Sequence, residues 1–312
     1  MLRFIAGRVL RAVLTLAICV SAVFVVLRLS GDPADILLPD DTPADIKAEY
    51  RVRWGLDGTI PEQFVRYLAA LMRGDFGVSF ADGRAAWAVV ADAIPNTLLL
   101  GASATCLALM IGVPLGILAA LRHNSVIDRA LMSVAVLGFS LPTFFLAILL
   151  ILLFTLNLRW LPSSGTDTLW HMVMPVITLS AGLLGKAARF SRTSMLEMLG
   201  QPFVRTARAK GVPRLSVLVR HVFPNAAIPL LMFLGIEVGL VLTGAAVTET
   251  IFAWPGVGRL LVSAAAQRDL PVVQGAILFV AAVIVLSNLA VDIVHAVIDP
   301  RIDALGVSGS AS

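Results

Sequence analysis

Thr97-Leu-Leu-Leu-Gly-Ala-Ser-Ala-Thr-Cys-Leu-Ala-Leu-Met-Ile-Gly-Val-Pro-Leu-Gly-Ile-Leu-Ala-Ala-Leu121 contains no Asp, Glu, Lys or Arg. About 20 helical residues, rising roughly 1.5 Å each, cross the hydrocarbon core of a bilayer. This stretch is long enough and apolar enough to do so. Working outward, Ala130 to Leu158 is also free of charge, and a further apolar segment spans about 9–29. Toward the C-terminus, 226–248 is broken only by Glu237, and Val272 to about His295 carries only Asp292 near its end. Met172 to Gly185 is uncharged but short, and Lys186 and Arg189 follow it. These six segments predict an all-α, polytopic membrane protein.

The composition agrees. Of 312 residues, 58% are hydrophobic and 14% charged, with a mean hydropathy of +0.91. Soluble domains carry about a quarter charged residues, so much of this surface does not face water. Arg3, Arg8 and Arg11 precede the first apolar run in the manner of a signal peptide, but no small-x-small cleavage pattern follows, which predicts an uncleaved anchor.

The net charge of +4 is unevenly placed. Arg3, Arg8, Arg11, Arg122, Arg129 and the run Lys186, Arg189, Arg192, Arg205, Arg208, Lys210, Arg214 and Arg220 all fall on one side of the six-segment arrangement. Lys and Arg mark the cytoplasmic side, so both termini are expected inside. The same asymmetry requires a crossing between 158–171 and 186–220, with Lys186 and Arg189 snorkelling to lengthen it. The charge therefore reads as topology, and no nucleic-acid partner is expected.

The domain organisation follows. Residues 1–29 form the N-terminal end and first span. Residues 30–93 form an acid-rich outer subdomain, with short helices expected from Thr42 or Pro43 and from Pro61. Residues 94–298 form the transmembrane core, including a cytoplasmic loop at 200–224. Residues 299–312 form a tail expected to be disordered from Gly306.

Chemistry-bearing motifs are few. Cys19 and Cys106 lie in apolar runs and read as packing residues, and His123, His171, His221 and His295 fall on separate segments. No metal or cofactor site is expected. The Gly-Lys pair at 185–186 lacks the phosphate-cradling context, and no His-Glu-x-x-His or Gly-x-Ser-x-Gly occurs. An intramembrane enzyme is thus disfavoured, and any ATP must be hydrolysed by another chain.

Glu237 stands near the middle of its segment, where a charge costs roughly 2.5–3.5 kcal/mol on insertion scales. It reads either as a translocation-path residue or as a protonated Glu hydrogen-bonded within the bundle. Gly112-x-x-x-Gly116 and Gly235-x-x-x-Gly239 permit close helix contact, within the chain or at a dimer interface. Trp160, Trp170 and Trp254 fall near outer boundaries, as an aromatic belt would.

The loop at 200–224 is the most informative motif. Pro202 should open a short helix that breaks at Gly211, and Pro213 a second that gives way at Pro224. From composition alone it is equally a basic patch for anionic lipid. However, Arg205-Thr206-Ala207-Arg208-Ala209-Lys210-Gly211, with His221-x-Phe223-Pro224 following, resembles the Glu-Ala-Ala loop of ABC importer permeases. Ala207, Gly211 and Pro224 match that pattern, whereas Arg205, Thr206, His221 and Phe223 depart from it. The divergent form is similar to that of the dipeptide, oligopeptide and nickel branch. Arg53-Trp-Gly-Leu-Asp-Gly, Gly74-Asp-Phe-Gly-Val-Ser, Ile94-Pro-Asn-Thr-Leu, the run from Glu249 to Leu261, Arg268-Asp-Leu-Pro and Asp299-Pro-Arg301 resemble the same branch in order along the chain.

The resemblance implies a B-type permease subunit of the bacterial inner membrane. Its implied partners are a second, C-type permease, two ATP-binding-cassette ATPases and an extracytoplasmic binding protein that docks on the outer face. The loop would couple to the ATPases, and Glu249, Trp254, Pro255 and Gly256 would be outer-gate residues. Peptides, nickel complexes, glutathione and glycoside-like solutes are all implied as substrates of the branch. The rival reading is a stand-alone ion-coupled carrier using Glu237.

Overall fold

The computed structural model describes residues 2–29, 42–53 and 56–298. Outside them lie the acidic residues Asp32, Asp35, Asp40 and Asp41, Trp54 of the first outer motif, Asp299-Pro-Arg301 and the C-terminal tail. The described residues are nearly all helical. Helix α1 covers Leu2–Leu29, and the outer subdomain contributes α2 (Ala44–Arg53) and α3 (Ile60–Met72). The core holds α4 (Ala86–Leu121), α5 (Val126–Ser140), α6 (Thr143–Leu150, continued by a π-helical Ile151–Asn157) and α7 (Trp170–Leu199). Then come α8 (Pro202–Ala209), α9 (Arg214–Val217), a π-helical Leu218–Val222, α10 (Phe223–Ile251), α11 (Val257–Ala266) and α12 (Leu270–Ile298).

Five of these helices are long and apolar enough to cross a membrane, and six if the bent pair α5–α6 counts as one crossing. The uncharged run 130–158 is therefore not one straight span. Its two helices meet at 99°. Pro142 removes a backbone donor and holds Leu141 extended (ψ 126°).

The short segment expected over Met172–Gly185 is instead a continuous helix of 30 residues, about 45 Å long. It contains Pro175 and runs on through Lys186 and Arg189. The second helix of the loop at 200–224 is corrected too. It does not give way at Pro224 but winds through the π-helical segment directly into α10. Pro224 is the second residue of α10 and follows directly on the π-helical turn, where the wider winding accommodates its missing N–H.

Helix α7 is the centre of the bundle, packed against α4, α5 and α10. Small residues let it sit there. Gly112 and Gly116 of α4 press on α7, where an added Cβ at Gly112 would lie 2.7 Å from the Leu184 carbonyl oxygen. At Gly116 an added Cβ would run into the Ala188 carbonyl, and at Gly185 into that of Ala135 on α5. Gly235 and Gly239 of α10 face Val291 and Ile284 of α12. Both glycine pairs thus make contacts inside this chain.

The described part of the segment between α1 and α4 is built on two anchors. Helix α3 opens with a reciprocal cap in which the Thr59 N–H donates to Glu62 (2.8 Å). That bond and the Thr59 hydroxyl hold the Glu62 carboxyl below its usual range. From the same helix, Phe64 and Tyr67 stack around Phe24 of α1, at 5.1 and 5.5 Å between ring centroids. A second anchor holds the turn before α4. Asp269, buried between α11 and α12, accepts from the Phe80 N–H (3.1 Å), the Ala81 N–H (3.3 Å) and the Ser79 hydroxyl.

Candidate functional site

Helix α8 projects from the bundle on a single anchor. Val204 is buried with Ala120, Met195, Val217, Val222 and Ala226, and Ala207 leans partly onto this cluster. Arg205, Thr206, Arg208, Ala209 and Lys210 are exposed around the rest of the helix. The helix ends because Gly211 adopts φ +74°, a conformation glycine reaches without strain. Its N–H caps the Arg208 carbonyl at 3.0 Å, and the Val212 N–H returns to Ala207 at 3.2 Å. Ala209 is fully on the open side, whereas Ala207 is half-buried.

Glu237 does not stand alone. Lys186 donates to both of its carboxylate oxygens, at 3.0 and 2.9 Å, joining α7 to α10. Lys186 was expected to snorkel toward the membrane surface. Glu237 captures it because an acceptor inside the bundle spares both charges an unpaired exposure to lipid. The pair interrupts an otherwise apolar seam. Leu179 and Leu183 of α7 pack with Val241 and Ala245 of α10 on one side. Phe190 stacks on Phe233 on the other, 4.7 Å between centroids.

A second ion pair lies at the start of α5. Arg192 donates to Asp128 through Nε at 2.7 Å and through Nη2 at 2.8 Å, a bidentate fork. Asp128 is buried and also accepts the Asn124 N–H, while its own N–H goes to Ser125. The sequence offers Ser125-x-x-Asp128 as a helix-start signature, but nothing in it points to Arg192.

The loop between α10 and α11 is closed by a buried carboxylate. Glu249 accepts from the Thr97 hydroxyl at 2.7 Å and from the Arg259 N–H at 3.0 Å, and Thr97 in turn accepts the Val257 N–H at 2.7 Å. Helix α11 starts at Gly256, which has no side chain to cap it, so Glu249 and Thr97 satisfy its first-turn donors from another element. Any side chain at Gly256 would collide with the Glu249 carboxylate.

Trp254, expected in an aromatic belt, is instead buried, with its indole N–H on the Asn96 carbonyl at 3.0 Å. Asn96 answers by donating to the Pro255 carbonyl at 3.0 Å. Trp160 and Trp170 remain exposed. Pro255 and Gly256, with Asp92, Asn96 and Arg259, line an open groove of about 350 Å³. The four gate candidates are thus brought together, although only two of them face that groove. Thr97 and Asn96, which complete the arrangement, carried no signal beyond their place in Ile94-Pro-Asn-Thr-Leu.

Known proteins resemble this chain along its length. The family described as binding-protein-dependent transport system inner membrane component matches residues 112–304, and its separate N-terminal family matches residues 1–101. The glutathione transport system permease proteins GsiC of Escherichia coli (strain K12) and of Salmonella paratyphi A are each 38% identical over 303 residues. That covers 97% of this chain and 99% of theirs. Among solved structures, the inward-facing MetNI methionine ABC transporter aligns with a TM-score of 0.56 at 16% identity, over 68% of this chain and 96% of that one.

Proposed function

The chain belongs to the family of binding-protein-dependent transport system inner membrane components, the permease subunits of ABC importers, and from that premise we propose what it carries and how. It is a multi-pass inner-membrane protein. A permease of this kind works with ATPase subunits, a second permease and a binding protein.

The proposed cargo is a small peptide of the glutathione class, on the strength of the two GsiC relatives. The second permease is proposed to be a C-type homologue, with two ATPases beneath the pair and both termini of this chain in the cytoplasm. Transport proceeds by alternating access. ATP-driven closure of the ATPases moves α8 and residues 205–211. The movement reaches α10 through the continuous helix that begins at Arg214. At the far end of α10, Glu249, Trp254, Pro255 and Gly256 hold the outer loop that closes the path, and the outer subdomain receives the binding protein.

One observation carries the coupling role. Helix α8 buries a single residue, Val204, and leaves its basic face open to a partner. The test is reconstitution of the four components in proteoliposomes, with ATP inside and labelled glutathione outside. ATP-dependent uptake is expected. Arg205→Glu with Arg208→Glu should release the ATPases while the two permeases stay together. Uptake by this chain alone, without ATPases, would establish a stand-alone carrier instead.

A further inference from the structure

The exposed side of α7 at mid-membrane is not built for lipid. Gly182, Lys186, Arg189 and Thr193 follow one another at helical spacing along it, and all four are open or half-open. A Cβ at Gly182 would meet nothing within 4 Å. The Arg189 guanidinium lies over the Phe139 ring at 4.9 Å. Charged side chains at this depth face water or protein, because lipid offers them no partner. This stripe therefore faces water or a protein partner, as the border of a path between two permeases would.

The pair ties α7 to α10 away from the ends of both helices. The two residues are unequally exposed, with the Lys186 side chain 39% accessible and that of Glu237 11%. An ammonium carries three donors. Two of them serve the Glu237 oxygens, which leaves one for the open side. Fixed apolar walls flank the pair, Leu183 and Val241 toward one end and the Phe190–Phe233 stack toward the other. Such walls strengthen any charged contact made between them.

We propose that Lys186 and Glu237 form a carboxylate-recognition site on the translocation path. The terminal carboxylate of a passing peptide takes the free donor of Lys186, and Glu237 holds the ammonium in place and releases the ligand by competing for it. This inference rests on the importer reading above, and it adds a second point of selection inside the membrane, after the binding protein. Lys186 is the contacting residue. Glu237 is a positioning residue, and its weaker exposure fits that division.

The test uses the reconstituted four-component complex and compares uptake of the tripeptide from the assay above with uptake of its C-terminal amide. Lys186→Gln should reduce the ratio of acid to amide uptake about tenfold, with the binding protein unchanged between the two samples. The exchanged pair, Lys186→Glu with Glu237→Lys, keeps a salt bridge across the seam while moving the cation to the less exposed position. It should melt like wild type and still lose the preference for the acid. If the exchanged pair restores both stability and the acid preference, the pair only holds the seam and the proposal falls. An acid-to-amide ratio in Lys186→Gln equal to the wild-type ratio would also overturn it. Absence of uptake for both forms in a wild-type complex that hydrolyses ATP would remove the peptide reading, and the proposal with it.

Discussion

Replacing Glu249 by Gln changes no volume and should still loosen the outer loop. The reason lies in the direction of three hydrogen bonds. Thr97 accepts the Val257 N–H, so its own hydroxyl proton points at Glu249 Oε1, while Oε2 accepts the Arg259 N–H. Both positions around residue 249 therefore demand an acceptor, and a carboxamide supplies only one. Its NH₂ must face either the Thr97 hydroxyl or the Arg259 amide, donor against donor, at a site with no exposure to water. A buried donor left without its acceptor costs about 1–3 kcal/mol, and the lost bond adds about 1 more.

A net loss of about 2–4 kcal/mol corresponds to a fall in melting midpoint of roughly 4–8 °C. The detergent-purified complex is the sample, followed by intrinsic fluorescence on heating. Hydrogen exchange should locate the change at residues 253–260, where Trp254 docks and α11 begins. Thr97→Ser keeps the hydroxyl and should leave the midpoint unchanged. Thr97→Val removes it and should reproduce the loss. If Glu249→Gln melts within about one degree of wild type, with no faster exchange at 253–260, the assignment of donors and acceptors is wrong.

Other perturbations test other parts of the bundle. Gly116→Leu drives a side chain into the α7 backbone and should destabilise by about 1–3 kcal/mol or more, read as loss of monodisperse protein on size exclusion, whereas Gly182→Ala should be tolerated. Arg192→Leu strands a buried Asp128 and should cost about 3–5 kcal/mol. Adding Asp128→Asn should recover much of that in the same thermal assay, since the partner charge is then gone. The α3 cap depends on an ionised Glu62 whose folded-state pKa is lowered. Its contribution is complete above the ordinary carboxylate value and disappears as pH falls through the lowered one. Amide exchange at Gln63, normalised for intrinsic rates, should therefore stay protected near neutrality and open on acidification below pH ~4.

The apolar runs were legible because a bilayer demands them, and all of them appear as helix. What a charge-free run cannot reveal is direction. The stretch 130–158 reads the same whether straight or folded back, and only Pro142 marks the turn. The opposite error affected α7, where Lys186 and Arg189 disguised a long helix as a short one because their partners are remote. Glu237 is 51 positions away from Lys186, and Asp128 is 64 from Arg192. Pairings of that kind belong to the packing of helices, which no local pattern encodes. Trp254 failed for a related reason. Its position near an outer boundary suited a belt residue, but the Asn96 carbonyl of α4 offered its indole a buried partner. At 200–224 the prolines and Gly211 located the first helix well. The continuity through Pro224 was missed, because a π-helical turn accommodates a proline that an α-helical interior would reject.

The bond between Asp269 and residues 79–81 reaches across 190 positions of sequence, and α1 packs against α12, the last helix. On the ribosome these contacts cannot form in the order in which their first halves appear. At about 5–20 residues per second, the turn before α4 waits on the order of 10–40 s for Asp269 to be synthesised. Throughout that interval the first helix sits in the bilayer without its neighbour. Biogenesis of this segment is thus completed late, and a nascent chain truncated before residue 269 leaves the turn at 79–81 unlatched, open to proteolysis there, while the Phe24 anchor is already in place.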